Sequence, residues 1–292
     1  MPQLPRGPRF AAIAAGVLVI GTVLALGTLC AQPAGATPLR GEYVALGDSA
    51  AAGPLIAPQD LTVPGCLRAQ RNYPAVLADR IGVRLRDATC SSATSENVSA
   101  VLQRTPAGTV PVQTSLLSVH TRLVTLTIGL NDVKMFSVAL SCAELPGSVP
   151  CSQRYRRGGI DELEIRIDRQ RPKWGQTLDA IRRAAPNAKV VVVGYGTYVR
   201  AGGCASQPVT PADADYLRAV VAHANTVMAG QAQRRGMQFV DLAAMSAGHD
   251  MCAPPNRQYF FGLVPASVGA PLHPTALGMV AIGRYVAATM DH

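Results

Sequence analysis

The chain of 292 residues is poor in aromatic side chains, 5% with a single tryptophan, and poor in charge, 15%. Against 48% hydrophobic residues and a mean hydropathy of +0.18, that scarcity of charge excludes global disorder, because so apolar a chain buries a large core. No internal repeat is present, which excludes solenoids and propellers. No Cys-x-x-Cys occurs, and His249 with Cys252 lacks a second close pair, so no zinc site is expected. Basic residues are not interleaved with aromatics and no nucleic-acid-binding motif is found, so nucleic acid is not an expected partner. The shortage of aromatics does not exclude a lipid pocket, since aliphatic side chains line one equally well.

A long apolar run is present, at the start. Arg6 and Arg9 stand in a leader without acidic residues, Phe10 to Ala31 is almost unbroken hydrophobic sequence, and Ala34-Gly35-Ala36 offers small residues to a signal peptidase. Residues 1–36 therefore read as an export signal cleaved after Ala36, with an uncleaved membrane anchor as the alternative. Cys30 follows Leu29, too large for a lipidation site, and belongs to the apolar run. Residues 37–292 form the expected catalytic domain, outside the cytosol, secreted or associated with the cell envelope. Six of the seven cysteines lie in it, and in an exported domain they read as disulfides whose pairing their number leaves open. The net charge of +9 is spread thinly. Arg154, Arg156 and Arg157 are its densest patch, followed by Arg166, Arg169, Arg171 and Lys173; they read as a solvated basic face, with affinity for an anionic membrane or envelope surface as the further inference.

Short apolar runs alternate with helical patterns. Glu42–Gly47, Val83–Ala88, Leu123–Gly129, Ala188–Gly194 and Met237–Leu242 read as buried strands. Tyr73–Ile81, Trp174–Ala185, Pro211–Arg235 and Pro274–Met290 read as helices, the first opening on Pro74 and the third stopped by Gly236. Residues 141–160 and 200–211 read as loops. Strands separated by helices imply a parallel sheet covered on both faces, a three-layer α/β/α sandwich. No Pro/Ser-rich linker divides it, so one domain is expected.

In such sheets ligands gather at the carboxyl ends of the strands. The first strand delivers Gly47-Asp48-Ser49, the third Leu130-Asn131-Asp132, and His273-Pro274 precedes the last helix. A serine, an amide and a histidine on one edge make an acyl-transfer site. A hydroxyl at its own pKa is too weak a nucleophile to attack an ester unaided, so Ser49 requires a base, and His273 is the candidate. Asn131 is the candidate donor to a developing oxyanion. Each segment by itself is equally a turn or helix cap; their joint placement carries the reading.

These residues resemble a known family. VALGDSAAAG around Ser49 is similar to the first block of the SGNH (GDSL) hydrolases, TCSSATSENV to the second, TIGLNDV to the third and LHPTALG to the last. The four blocks run in order through residues 42–290, most similar to the disulfide-bonded secreted actinobacterial esterases and lipases of that group. The resemblance implies a flavodoxin-like sandwich and an esterase or lipase with Ser49 as nucleophile and His273 as base. It implies an oxyanion hole from the backbone N–H groups of Ser49 and Ser92 and the side chain of Asn131. It further implies the pairs Cys66–Cys90, Cys142–Cys151 and Cys204–Cys252, and no metal or organic cofactor. Gly-x-Ser-x-Gly is absent around Ser49, which separates this site from the α/β-hydrolase nucleophile turn.

Two positions depart from the family. Ser92 replaces the second-block glycine, and Ala270 stands where an aspartate three residues before the histidine is usual. By similarity to the secreted enzymes, the Ala270 backbone carbonyl is expected to orient His273, with Asp250 or Asp241 as alternative carboxylates. His120 and His223 read as structural or surface residues and His249 as a pocket neighbour, while Asn97-Val98-Ser99 matches a glycosylation acceptor. The expected substrate is an acyl ester, on a lipid or an acylated glycan, and the expected state a monomer. Two other functions fit the same residues: acyl transfer to or from an envelope glycan, and a binding protein with a decayed site.

Overall fold

A computed structural model describes residues 41–143 and 149–290; residues 1–36, read from the sequence as an export signal or membrane anchor, lie outside them. Five strands form one parallel sheet: β1 (Glu42–Gly47), β2 (Arg84–Asp87), β3 (Thr121–Thr127), β4 (Lys189–Val193) and β5 (Gln238–Val240). Their order is β2-β1-β3-β4-β5. The order reverses between β1 and β3, and the crevice at that switch is where open α/β sheets hold ligands. Ser49 leaves β1 and Asn131 leaves β3, whose ends align as Gly47 with Thr127.

Alternation along the strands splits the core in two. Tyr43 and Ala45 of β1 face a cluster with Leu77 of α2 (Tyr73–Ile81) and Met279, Ile282 and Val286 of α9 (Ala276–Met290). Val44 and Leu46 face the opposite cluster, with Trp174, Leu178 and Ile181 of α6 (Glu162–Ala184) and Val220 and Val227 of α7 (Pro211–Gln233). Successive strand residues point to opposite faces, so a sheet buried on both sides reads as continuous apolar sequence, as Tyr43–Leu46 of β1 and Val190–Val193 of β4 do. This is the three-layer α/β/α sandwich expected from the sequence.

The differences from the sequence reading have local causes. α6 begins twelve residues before Trp174, at Glu162, its start fixed by the Asp161 side chain accepting from the N–H groups of Leu163 and Glu164. Its first half is charged and contains Pro172, which obscures the pattern, yet Leu163 and Ile167 are buried on its inner face. The stretch 141–160, read as loop, contains α5 (Cys151–Tyr155) and the start of a hairpin that pairs Arg156–Arg157 with Ile160–Asp161. α9 begins at Ala276 because Pro274 is still bridged to Phe260. Disulfides join Cys66 to Cys90, Cys142 to Cys151 and Cys204 to Cys252.

Candidate active site

The turn after β1 is built around a glycine. Gly47 has φ +153°, and a Cβ there would lie 2.7 Å from the Thr127 carbonyl oxygen. Its backbone is held on both sides by the buried Gln113: Gly47 N–H donates to Oε1 at 2.7 Å, and Nε2 donates to the Gly47 carbonyl at 2.9 Å. Asp48 then donates its N–H to Thr127 O and caps the short helix α1 (Ser49–Ala52) by accepting from Ala50 N–H. Ser49 is thereby presented at the first position of a helix at the sheet edge.

His273 arrives from the other end of the chain. Its carbonyl accepts from Phe261 N–H, and Leu272 N–H donates to Gly262 O, so a second segment holds the loop in place. The ring bridges two groups: Nε2 lies 2.8 Å from Ser49 Oγ and Nδ1 lies 2.7 Å from the Pro271 carbonyl oxygen. The orienting carbonyl is that of Pro271 and not, as the sequence reading has it, that of Ala270. Leu272 adopts φ +60°, which turns the chain so that the carbonyl two residues back reaches the ring. Neither alternative carboxylate reaches His273. Asp250 accepts from Arg200 Nε and Cys252 N–H, and Asp241 from Ala243 N–H. Burial disfavours the imidazolium and holds the His273 pKa below its ordinary value, with the Pro271 hydrogen bond pulling the other way.

Asn131 lies in a 3₁₀ turn, Leu130–Val133, directly after β3. Its Nδ2 donates one hydrogen to the Ala93 carbonyl at 2.9 Å, leaving the second hydrogen for another acceptor. Asp132 pins this turn from below, accepting from Ser95 N–H, Ser95 Oγ–H and Trp174 Nε1–H at 3.1, 3.0 and 2.9 Å. Burial raises its carboxyl pKa, and those hydrogen bonds oppose the shift. Ser92 sits one residue before Ala93, in a turn fixed by the Cys66–Cys90 disulfide and by Cys90 N–H donating to Gly47 O. It has φ +68°, the left-handed conformation of the glycine it replaces. If Ser92 contributes only its N–H, Ser92→Gly and Ser92→Ala both keep kcat within about threefold of wild type. Steady-state assays on the two variants check this, and a loss beyond tenfold in both would assign work to the hydroxyl.

Serine, histidine and amide border one cavity of about 200 Å³. Its far wall is apolar: Met135, Phe136 and Ala139 of α4 (Met135–Ser141) face Leu217 and Val221 of α7, with Met251 closing the end. Phe136 also packs beside the His273 ring, centroids 5.7 Å apart. A hole for a polar head and a greasy slot for a tail suit an acyl compound.

Other singled-out residues stand apart from this cavity. His223 Nε2 approaches Asp168 at 3.3 Å, His249 stacks on Tyr259 with centroids 4.0 Å apart, and His120 is exposed. Asn97 accepts from Thr94 N–H and Oγ–H in a capping box. In the basic stretch, Arg156, Arg166, Arg171 and Lys173 pair with Asp161, Glu162, Asp168 and Glu96. Sequence reasoning missed Gln113, Trp174, Tyr195 and Asn225. The last two lock together, Asn225 accepting from Tyr195 N–H and donating to its carbonyl. The Tyr195 hydroxyl is buried against Asp48, whose carboxyl burial pushes up to about 7 against the hydrogen bonds it accepts. No sequence signal marks such contacts, because they join residues 30 to 147 positions apart.

Fold and site together define an ester hydrolase, and the chain belongs to the GDSL-like lipase/acylhydrolase family, whose sequence profile matches residues 45–281. Lipase 2 of Streptomyces coelicolor is 36% identical over 287 residues, covering 95% of this chain and 94% of that one. The crystal structure of an extracellular lipase from Streptomyces rimosus superposes with a TM-score of 0.67 at 27% identity, over 86% of this chain and 100% of that one. A phospholipase A1 from Streptomyces albidoflavus shares the fold, with a TM-score of 0.67 at 24% identity over 86% of this chain and 99% of that one. The protein is thus a carboxylic ester hydrolase of the esterase and lipase kind.

Proposed function

We propose that this enzyme hydrolyses acyl esters through a covalent acyl-enzyme on Ser49. The observation that carries the reading is the 2.8 Å contact of His273 Nε2 with Ser49 Oγ, with Nδ1 already held by the Pro271 carbonyl. That hydrogen bond fixes the proton on Nδ1, so Nε2 carries the free lone pair and faces the hydroxyl. As Oγ bonds to the ester carbonyl carbon, its proton passes to Nε2. The oxyanion so formed accepts from Ser49 N–H, Ser92 N–H and the second Asn131 amide hydrogen. Collapse breaks the carbon–oxygen bond to the alcohol, which takes the proton from His273 and departs. Water then attacks the acyl-Ser49 ester by the same path, with His273 as base, and releases the acid. A carbonyl in place of a carboxylate orients the ring without adding negative charge beside the imidazolium, giving a Ser–His dyad. The intact contact favours a working site over a decayed one.

The apolar wall of α4 and α7 receives the acyl chain, so turnover of p-nitrophenyl esters is expected to rise from acetate toward medium chains. The same assay tests the base. His273 acts only when neutral, and its pKa is lowered by burial. Activity is lost as pH falls through that pKa, so the acid limb of kcat/KM is expected below the ordinary histidine value of about 6.5. A chain-length series on the full chain across this pH range checks both. Preference for acetate, with an acid limb at or above the ordinary value, would count against the acyl slot and the buried base.

We further infer that residues 1–36 direct export and that residues 37–292 are the catalytic domain. The three disulfides, which persist in oxidising compartments, and the extracellular Streptomyces rimosus relative support it.

A further inference from the structure

We propose that Tyr195 is a positioning residue whose hydroxyl ties the nucleophile turn to the oxyanion turn. This inference rests on the Ser49 mechanism above. Tyr195 leaves the carboxyl end of β4, between Gly194 and Gly196, with its backbone clamped on both sides by the Asn225 amide. Its hydroxyl donates to Asp48 Oδ2 at 2.5 Å and accepts from Leu130 N–H at 3.2 Å. Asp48 is the residue before Ser49, and Leu130 is the residue before Asn131. One oxygen atom therefore bonds to the two neighbours of the groups that must meet across the substrate carbonyl.

The rest of each turn makes this link consequential. Asp48 spends its other oxygen on Ala50 N–H, which fixes the start of the helix that presents Ser49. Asp132 anchors the oxyanion turn to Ser95 and Trp174, neither of which belongs to the nucleophile turn. Toward the nucleophile turn its link runs through Leu130 N–H, held by the Tyr195 hydroxyl that also bonds Asp48. Near-attack geometry tolerates little displacement, so loosening this turn separates donor from oxyanion and slows chemistry more than binding. Tyr195 also borders the cavity, but its hydroxyl is committed to these two partners and is not needed to bind a tail.

Tyr195→Phe removes the tie and keeps the ring. On a soluble p-nitrophenyl ester, kcat is expected to fall at least about tenfold with KM within about threefold. Tyr43→Phe is the control for losing a buried hydroxyl as such: Tyr43 is fully buried and its hydroxyl meets Thr125 Oγ at 2.7 Å, at the far end of β1. It is expected to lower Tm comparably and leave kcat unchanged. Asp48→Asn supplies a second variant should Tyr195→Phe fold poorly, since an amide has one oxygen for the two donors that now meet a carboxylate. It is expected to lower kcat too, and Tyr195→Phe/Asp48→Asn to be no worse than the worse single variant.

A kcat in Tyr195→Phe within twofold of the Tyr43→Phe value would overturn the inference. So would a loss confined to KM, or fully additive losses in the double variant. Ser49→Ala assayed alongside separates the two levels. Turnover retained there removes the underlying mechanism whatever Tyr195 does. An inactive Ser49→Ala beside a fully active Tyr195→Phe removes only the tie.

Discussion

Ser49→Ala is expected to reduce ester turnover by about 10⁴-fold or more, with folding unchanged. The hydroxyl is small, stands at the first position of a helix that Asp48 caps without it, and leaves no cavity of consequence when truncated. The fold therefore survives, and the lost rate reads the chemistry. His273→Ala is expected to cost a similar factor, because either loss disables the same proton transfer across the 2.8 Å contact. For that reason the double variant is expected to be no slower than either single one, since groups acting as a unit do not add. Single-turnover assays with an activated ester, and covalent labelling by a phosphonate probe, measure this. Labelling of a serine other than Ser49, or losses that multiply in the double variant, would assign the chemistry elsewhere.

Asn131→Ala is expected to lower kcat by about 10²- to 10³-fold while leaving KM close to wild type. The side chain does two things. One amide hydrogen is spent on the Ala93 carbonyl, beside Ser92, and the other is left for the oxyanion of the proposed mechanism. In that mechanism removing it withdraws one oxyanion donor and loosens a second, so its effect is expected to exceed that of any change at the Ser92 side chain. Asn131→Asp is the sharper variant. It replaces a donor by an anion beside the developing negative charge and is expected to be slower than Asn131→Ala. The comparison of kcat with KM checks the assignment: a large rise in KM at constant kcat would make Asn131 a binding residue for the ground state.

The other expectations bear on the same geometry. Tolerance at Ser92 tests whether a backbone N–H is all that turn provides. The acid limb tests a base held neutral by burial. The Tyr195 series tests whether the two turns are held as one piece.

The frame of this protein was legible in its sequence. The apolar runs of β1 and β4 announce a sheet buried on both faces, because only strands covered on both sides dispense with alternation. Pro74 in the first turn marks the start of α2, and the structure adds the Asn72 side-chain cap before it and the left-handed Gly82 after Ile81. Ser49, Asn131 and His273 were legible as candidates, since motifs at strand and helix edges are local in sequence. α6 was half hidden, because charges and Pro172 mask a helix whose inner stripe only packing reveals. What only the tertiary structure decided is everything that depends on distance across the sheet. The left-handed turn at Leu272 selects the Pro271 carbonyl over that of Ala270, and Asp250 and Asp241 are directed to other partners. Gln113, Trp174, Tyr195 and Asn225 enter the site only through hydrogen bonds between distant segments. Local preferences set which elements form and where their edges fall; the directions in which side chains meet are fixed only when both layers close on the sheet.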